Sequence, residues 1–215
     1  MMHDAQLAAA LLFLLGEPVP HDPSREAEAS ACREQAGSDA DALRMVLDLC
    51  AEPHTPQEFY LCEKACSWLG GEYGRRLIRY AEGYLGSAGW DALPAGTVEE
   101  KGLRIGLSDR VRAGIFSELA GALCGERRYE EAESSYMQAF RLEPYNAAYA
   151  VSAAAMLVRL GKESEAHDFL LHQKKNFYYH PVTYRDLSGE KKRNCDFRST
   201  VDLALSKLFP EDRKP

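Results

Sequence analysis

Apolar residues recur along most of this chain at intervals of three and four, the spacing that places them on one side of an α-helix. On this pattern helices are predicted over 4–15, 39–51, 56–69, 72–85, 110–124, 128–142, 146–160, 163–175 and 197–209, with a weaker one from Ser24 to Gln35. Local chemistry punctuates them. Asp39 stands where it can cap one helix, Thr55 with Glu58 three residues on forms a capping box, and Gly70-Gly71 and Gly161 provide left-handed turns that stop helices. Connections of two to five residues force neighbours to run antiparallel, so the chain reads as a series of helical hairpins.

Three stretches interrupt this pattern. Residues 17–38 are polar, with prolines at their start. Residues 86–109 form a Gly-rich insertion too long for an ordinary helix connection. It contains "TVEEKGLRI", able to close a short β-hairpin, and Trp90 and Leu93 to pin it to the helices. Residues 176–196 alternate around Ser188-Gly189, as a second small hairpin would.

In the window 113–146, Phe116, Leu119, Ala120, Leu123, Ala132, Tyr136, Ala139 and Pro144 alternate large with small at helical spacing. Two antiparallel helices approach closely only where side chains are small, so Ala120, Ala132 and Ala139 mark a crossing and the large residues fill the space around it. Each large side chain fully buried contributes roughly 1.5 to 3 kcal/mol, whereas forcing bulk into the crossing costs about 1 to 3 kcal/mol. Pro144 lacks an amide hydrogen and ends the second helix.

This arrangement resembles the tetratricopeptide repeat, with pattern W-x2-L-G-x2-Y, then A-x3-F, then P. Phe116 stands for the Trp, Leu119 for the Leu, Ala120 for the Gly and Leu123 for the Tyr, and Ala132, Tyr136 and Pro144 follow in register. A degenerate copy over 147–180 keeps Ala154, Leu157, Gly161 and Ala166 but has Ala150 at the aromatic position, Gln173 at a small one and Tyr178 at the proline. An earlier pair, 56–85, has the hairpin shape in poor register.

The resemblance implies an all-α, right-handed superhelix of αα-hairpins, with one or two small β-hairpin insertions. The expected layout is one domain over 1–215: N-terminal helices to 53, a degenerate hairpin with its insertion over 54–109, repeats over 110–180, then a hairpin-like segment and a capping helix. Phe197, Val201, Leu205 and Leu208 form that cap's apolar stripe.

It also implies a concave surface lined by the first helix of each repeat. Here that surface comprises Gly114, Ser117, Gly121, Cys124 and Gly125, then Ala148, Val151, Ala155, Val158 and Arg159. Relatives that clamp the carboxylate terminus of chaperones use Lys, Arg and Asn at such places, a set missing here. Small and apolar positions suit a peptide or helix of a partner protein. The N-terminal "AQLAAALLFLLG" is apolar nearly all round and requires burial on more than one side. It, or its copy in a homodimer, is expected to pack on the superhelix, either occluding the groove or sealing the stack.

Charge narrows the function classes. The net charge of -7 divides into -8 over 1–110 and +1 over the rest, and an acidic body repels phosphate backbones. The alternative of a nucleic-acid-associated regulator would use the basic and aromatic residues Lys174, Lys175, Tyr179, His180, Lys191, Lys192 and Arg193. The N-terminal apolar run has no Lys or Arg before it and is shorter than a membrane span, so it reads as a buried helix.

Six scattered cysteines read as reduced, in a cytoplasmic protein. Cys62 and Cys66 share a helix face as two metal ligands would, yet no second pair accompanies them, so they read as core residues. His167 and His172 read as solvated, and "YEEAE" as the acidic first turn of a helix. No phosphate loop, nucleophile elbow, dinucleotide fingerprint or metal signature appears. The expectation is a non-catalytic scaffold or adaptor without cofactor; the layout looks similar to bacterial and phage repeat proteins, which adds a regulator or inhibitor of a host complex as one version of that role.

Overall fold

A computed structural model describes residues 4–17, 19–87, 97–100, 103–176, 184–185, 191–192 and 197–210, with side chains described outside 97–108 and the two strand pairs 184–185 and 191–192. Trp90 and Leu93 lie outside the described residues. The chain divides into two compact units, 1–94 and 95–215, where the periodicity alone suggested one domain. The boundary falls in the Gly-rich insertion, and each unit closes an apolar core of its own.

The first unit holds α1 (Ala5–Leu14), α2 (Glu26–Ala36), α3 (Asp39–Leu49), α4 (Pro56–Leu69) and α5 (Gly74–Gly86). α1 is its centre. Leu7 through Leu12 are each no more than 4% exposed, with α2, α3 and α4 all packed around the helix. The stretch Leu7 to Leu12 is thus covered within the unit, while Phe13 of the same helix stays 42% exposed. Asp4 starts α1 by accepting from the Leu7 amide at 3.0 Å, and Arg25 holds the same carboxylate at 2.7 Å. Burial pushes Asp4 up, but these partners prevail and its pKa lies below the ordinary value.

The cap of α3 is a correction, because Ser38 and not Asp39 accepts from the Asp41 amide, at 3.1 Å. Asp39 instead lies in the first helical turn, where its charge favours the dipole. The capping box of α4 forms as expected. Thr55 Oγ1 accepts from the Glu58 amide at 3.3 Å, and the Glu58 carboxylate accepts from Thr55 N at 3.1 Å. Gly70, Gly71 and Gly161 take φ of +61°, +51° and +74°, which side chains disfavour.

Cys62 and Cys66 are fully buried in α4, and the Cys62 thiol donates to the Cys50 carbonyl at 3.3 Å. A hydrogen bond with the Cys50 side chain and burial push the Cys62 pKa far up, and burial raises Cys66 to about 12. Both are protonated packing groups at neutral pH. The five described cysteines are free thiols.

Two predictions arise here. A Cβ on Gly83 would lie 2.5 Å from the ring of Phe59 on α4, whereas one on Gly114 meets nothing within 4 Å. Gly83→Ala is expected to lose about 1 kcal/mol despite the better helix former, and Gly114→Ala to gain about 0.5 to 1 kcal/mol. Urea unfolding of both variants checks the opposite signs.

His21 hydrogen-bonds Glu26 through Nε2 at 2.9 Å and stacks on Phe13 at 4.0 Å between centroids. The Glu26 bond is the largest cause holding its pKa above 6.5. Its contribution to stability is therefore full below pH 6.5 and lost as pH rises through the raised folded-state value. His21→Gln is expected to flatten that part of the stability–pH profile.

The second unit begins with the hairpin β1 (Thr97–Glu100) and β2 (Leu103–Gly106), antiparallel with Val98 opposite Ile105. It continues through α6 (Leu107–Gly125), α7 (Tyr129–Leu142), α8 (Ala147–Arg159) and α9 (Glu163–Gln173). Then β3 (Tyr184–Arg185) pairs with β4 (Lys191–Lys192), and α10 (Phe197–Leu208) ends the unit. Each of α6 to α9 packs on the next, and α10 covers α8 and α9. Both small hairpins expected from the sequence form.

The crossing residues behave as their sizes require. Ala120, Ala132 and Ala139 are fully buried, with Leu119 and Leu123 beside them, while Phe116 and Tyr136 are half-buried. Gln173, at a position where the pattern has a small residue, is buried. Its amide oxygen accepts from Asn176 at 2.9 Å. His167, expected to be solvated, is half-buried with its ring edge-on to Phe209, 5.0 Å between centroids.

Candidate functional site

Helix α6 carries the candidate row because its two sides differ. Ala113, Ala120 and Leu123 turn inward, while Gly114, Ser117, Gly121, Cys124 and Gly125 retain solvent access. On α8 the same division recurs. Ala150, Ala153 and Ala154 are buried, and Ala148, Val151, Ala155, Val158 and Arg159 are half-buried or exposed. Val151 and Val158 also pack against the core cluster, but none of the ten positions is fully buried. Gly114 and Gly125 have open space where a Cβ would stand, so backbone is directly approachable there.

Specific contacts bring the two helices together. Cys124 Sγ on α6 lies 3.1 Å from Met156 Sδ on α8. The phenol of Tyr136, from α7, lies 4.0 Å from the Cβ position of Gly121 and hydrogen-bonds with Ser152 of α8. Burial raises its pKa, with Cys124 adding to the effect and Ser152 opposing it. The phenol is thus a neutral polar point beside the small residues of the row. Repeat register assigns Tyr136 to packing and gives no sign of this second role. Burial likewise raises Cys124, against the opposing charge of Arg159. Arg159 sits over the Tyr129 ring at 5.5 Å, holding the row's cation at one end.

A polar knot unread in the sequence lies at the α7–α8 turn. Arg110 Nε reaches Glu143 Oε1 at 3.1 Å, Asn146 donates to the other carboxylate oxygen at 3.4 Å, and the Arg110 guanidinium lies 5.8 Å from the Tyr145 ring centroid. Tyr149 is held well above the usual phenol range, first by burial and then by Glu143 and Glu118.

The basic and aromatic residues near the C-terminus are only partly placed. Lys175 is exposed, whereas Lys174 Nζ pairs with Asp202 of α10 at 2.6 Å. Lys191 and Lys192 form β4, opposite Arg185 and Tyr184. Tyr179, His180 and Arg193 lie outside the described residues. Among the described residues no helix is long and apolar enough to cross a membrane.

Within the second unit, α6 to α9 form two successive antiparallel helical hairpins spaced as in tetratricopeptide repeats. No family model matches the chain. It is 34% identical over 101 residues, 46% of its length, to a TPR repeat-containing protein of Treponema pallidum (strain Nichols), of which it spans 11%. The crystal structure of MamA aligns with 71% of this chain and 73% of that one, with a TM-score of 0.44 and 12% identity.

Proposed function

We propose that the protein is a non-catalytic interaction module whose α6–α8 row receives a peptide or helix of a partner protein. The observation that carries this reading is the contrast on α6 and α8 between fully buried alanines and a continuous line of small, accessible residues. Such a line lets a partner backbone approach closely, and the Tyr136 phenol offers it a hydrogen bond. The narrower form of the reading is a regulator or inhibitor of a bacterial or phage complex, acting by occupying a surface. Free thiols, of which Cys50, Cys62 and Cys66 are buried, fit a reducing cytoplasm. Pairing of Lys174 with Asp202 counts against a nucleic-acid face.

Gly121→Arg is the decisive variant. Gly121 is exposed on the row, so a long cation there fills it without entering the core. Partner capture with cross-linking should place contacts on α6 and α8 in the wild type, and the variant should bind at least about tenfold more weakly with unchanged melting temperature. Undiminished binding, or cross-links confined to α7 and α9, would sink the reading.

A further inference from the structure

On α7 and α9, away from the row just described, lies a cleft of about 690 Å³. Glu133 and Met137 are one helical turn apart on α7; Glu165, Asp168 and Phe169 are spaced likewise on α9. Leu157 of α8 and half-buried Met137 and Phe169 supply apolar lining. The rim is acidic. Glu165 and Asp168 are exposed, and Glu133 and Glu165 have no ion-pair partner among the described residues. The His167 ring lies 3.9 Å from Asp168, and His172 also lines the cleft.

We propose that this cleft is a second docking site, taking a segment of a partner protein in which an apolar side chain is flanked by lysine or arginine. The apolar lining gains from burying a leucine-like side chain, which water cannot replace. Three carboxylates around it repel anionic segments and phosphate chains, and attract a flanking cation. Either feature alone would be unselective. Together they require both properties within one short stretch. The site is independent of the α6–α8 row, because its lining comes from α7 and α9 with the inner edge of α8.

A fluorescein-labelled peptide of leucine and lysine tests this by anisotropy, with leucine–glutamate and serine–lysine peptides as controls. The full-length protein carries ¹³C-methyl methionine, and Met137→Leu assigns the Met137 resonance. The expected result is selective binding of the leucine–lysine peptide, a shift of the Met137 methyl, and affinity about tenfold lower in Glu165→Gln/Asp168→Asn. Both substituted residues are exposed, so the fold is retained. Gly121→Arg should leave this binding unchanged.

Binding with an unmoved Met137 methyl overturns the proposal, as does equal affinity for a control peptide or undiminished affinity in the double variant. Loss of peptide binding in Gly121→Arg would move the occupant to the α6–α8 row. Self-association abolished by the double variant would make the occupant a second copy of the chain, which also overturns it.

Discussion

Replacing Phe197 with Ala is expected to cost the second unit about 3 to 5 kcal/mol, the range for deleting a buried aromatic that its neighbours cannot replace. Phe197 is 1% exposed and shares a cluster with Ala147, Ala150, Ala154, Leu170 and Phe140. Alanines are already at their smallest, so the helix they sit on cannot fill the hole by rotating a side chain. The degenerate repeat has Ala150 where the pattern wants a large aromatic, and Phe197 from α10 brings an aromatic into the same cluster. The cap is thus structural. Urea unfolding followed by circular dichroism gives the number, and a loss under about 1 kcal/mol would mean that the site relaxes freely.

Arg110→Ala should cost about 2 to 3 kcal/mol, because a carboxylate left buried without its cation keeps its desolvation penalty. Glu143 is 2% exposed, and Asn146 and Tyr149, which also contact it, carry no charge to replace that of Arg110. The estimate sits below the usual range for a buried pair since a third of the Arg110 side chain meets solvent. Replacing both residues by leucine should recover most of the loss, as apolar side chains carry no desolvation cost. If the double variant is no better than the single one, the pair is needed for the geometry of the turn, and α8 loses its alignment. Thermal unfolding of the three variants separates these outcomes.

Helices and their ends were legible because they depend on residues within a turn or two of each other. The capping box at Thr55 and Glu58, the glycine stops and the boundaries of α4 follow from such short-range relations. Repeat register also states which side of α6 turns inward, the side on which Ala120 and Leu123 are buried. The failures are equally local in cause. Ser38 and Asp39 are both good caps, and only the extended backbone at Ser38 selected between them.

By itself, then, the sequence determined where the helices lie, which residues mark the α6–α7 crossing and that the N-terminal segment must be covered. It could not say by what. Tertiary structure surrounded α1 with α2, α3 and α4, joined Arg110 to Glu143 across 33 positions, set Tyr136 beside Ser152, and opened the acidic cleft between α7 and α9. The physical reason is that helical periodicity records one helix's own burial, whereas a meeting of side chains depends on the distance and angle at which separate helices cross. Those are set by the packing of the whole unit, and no short window of sequence contains them.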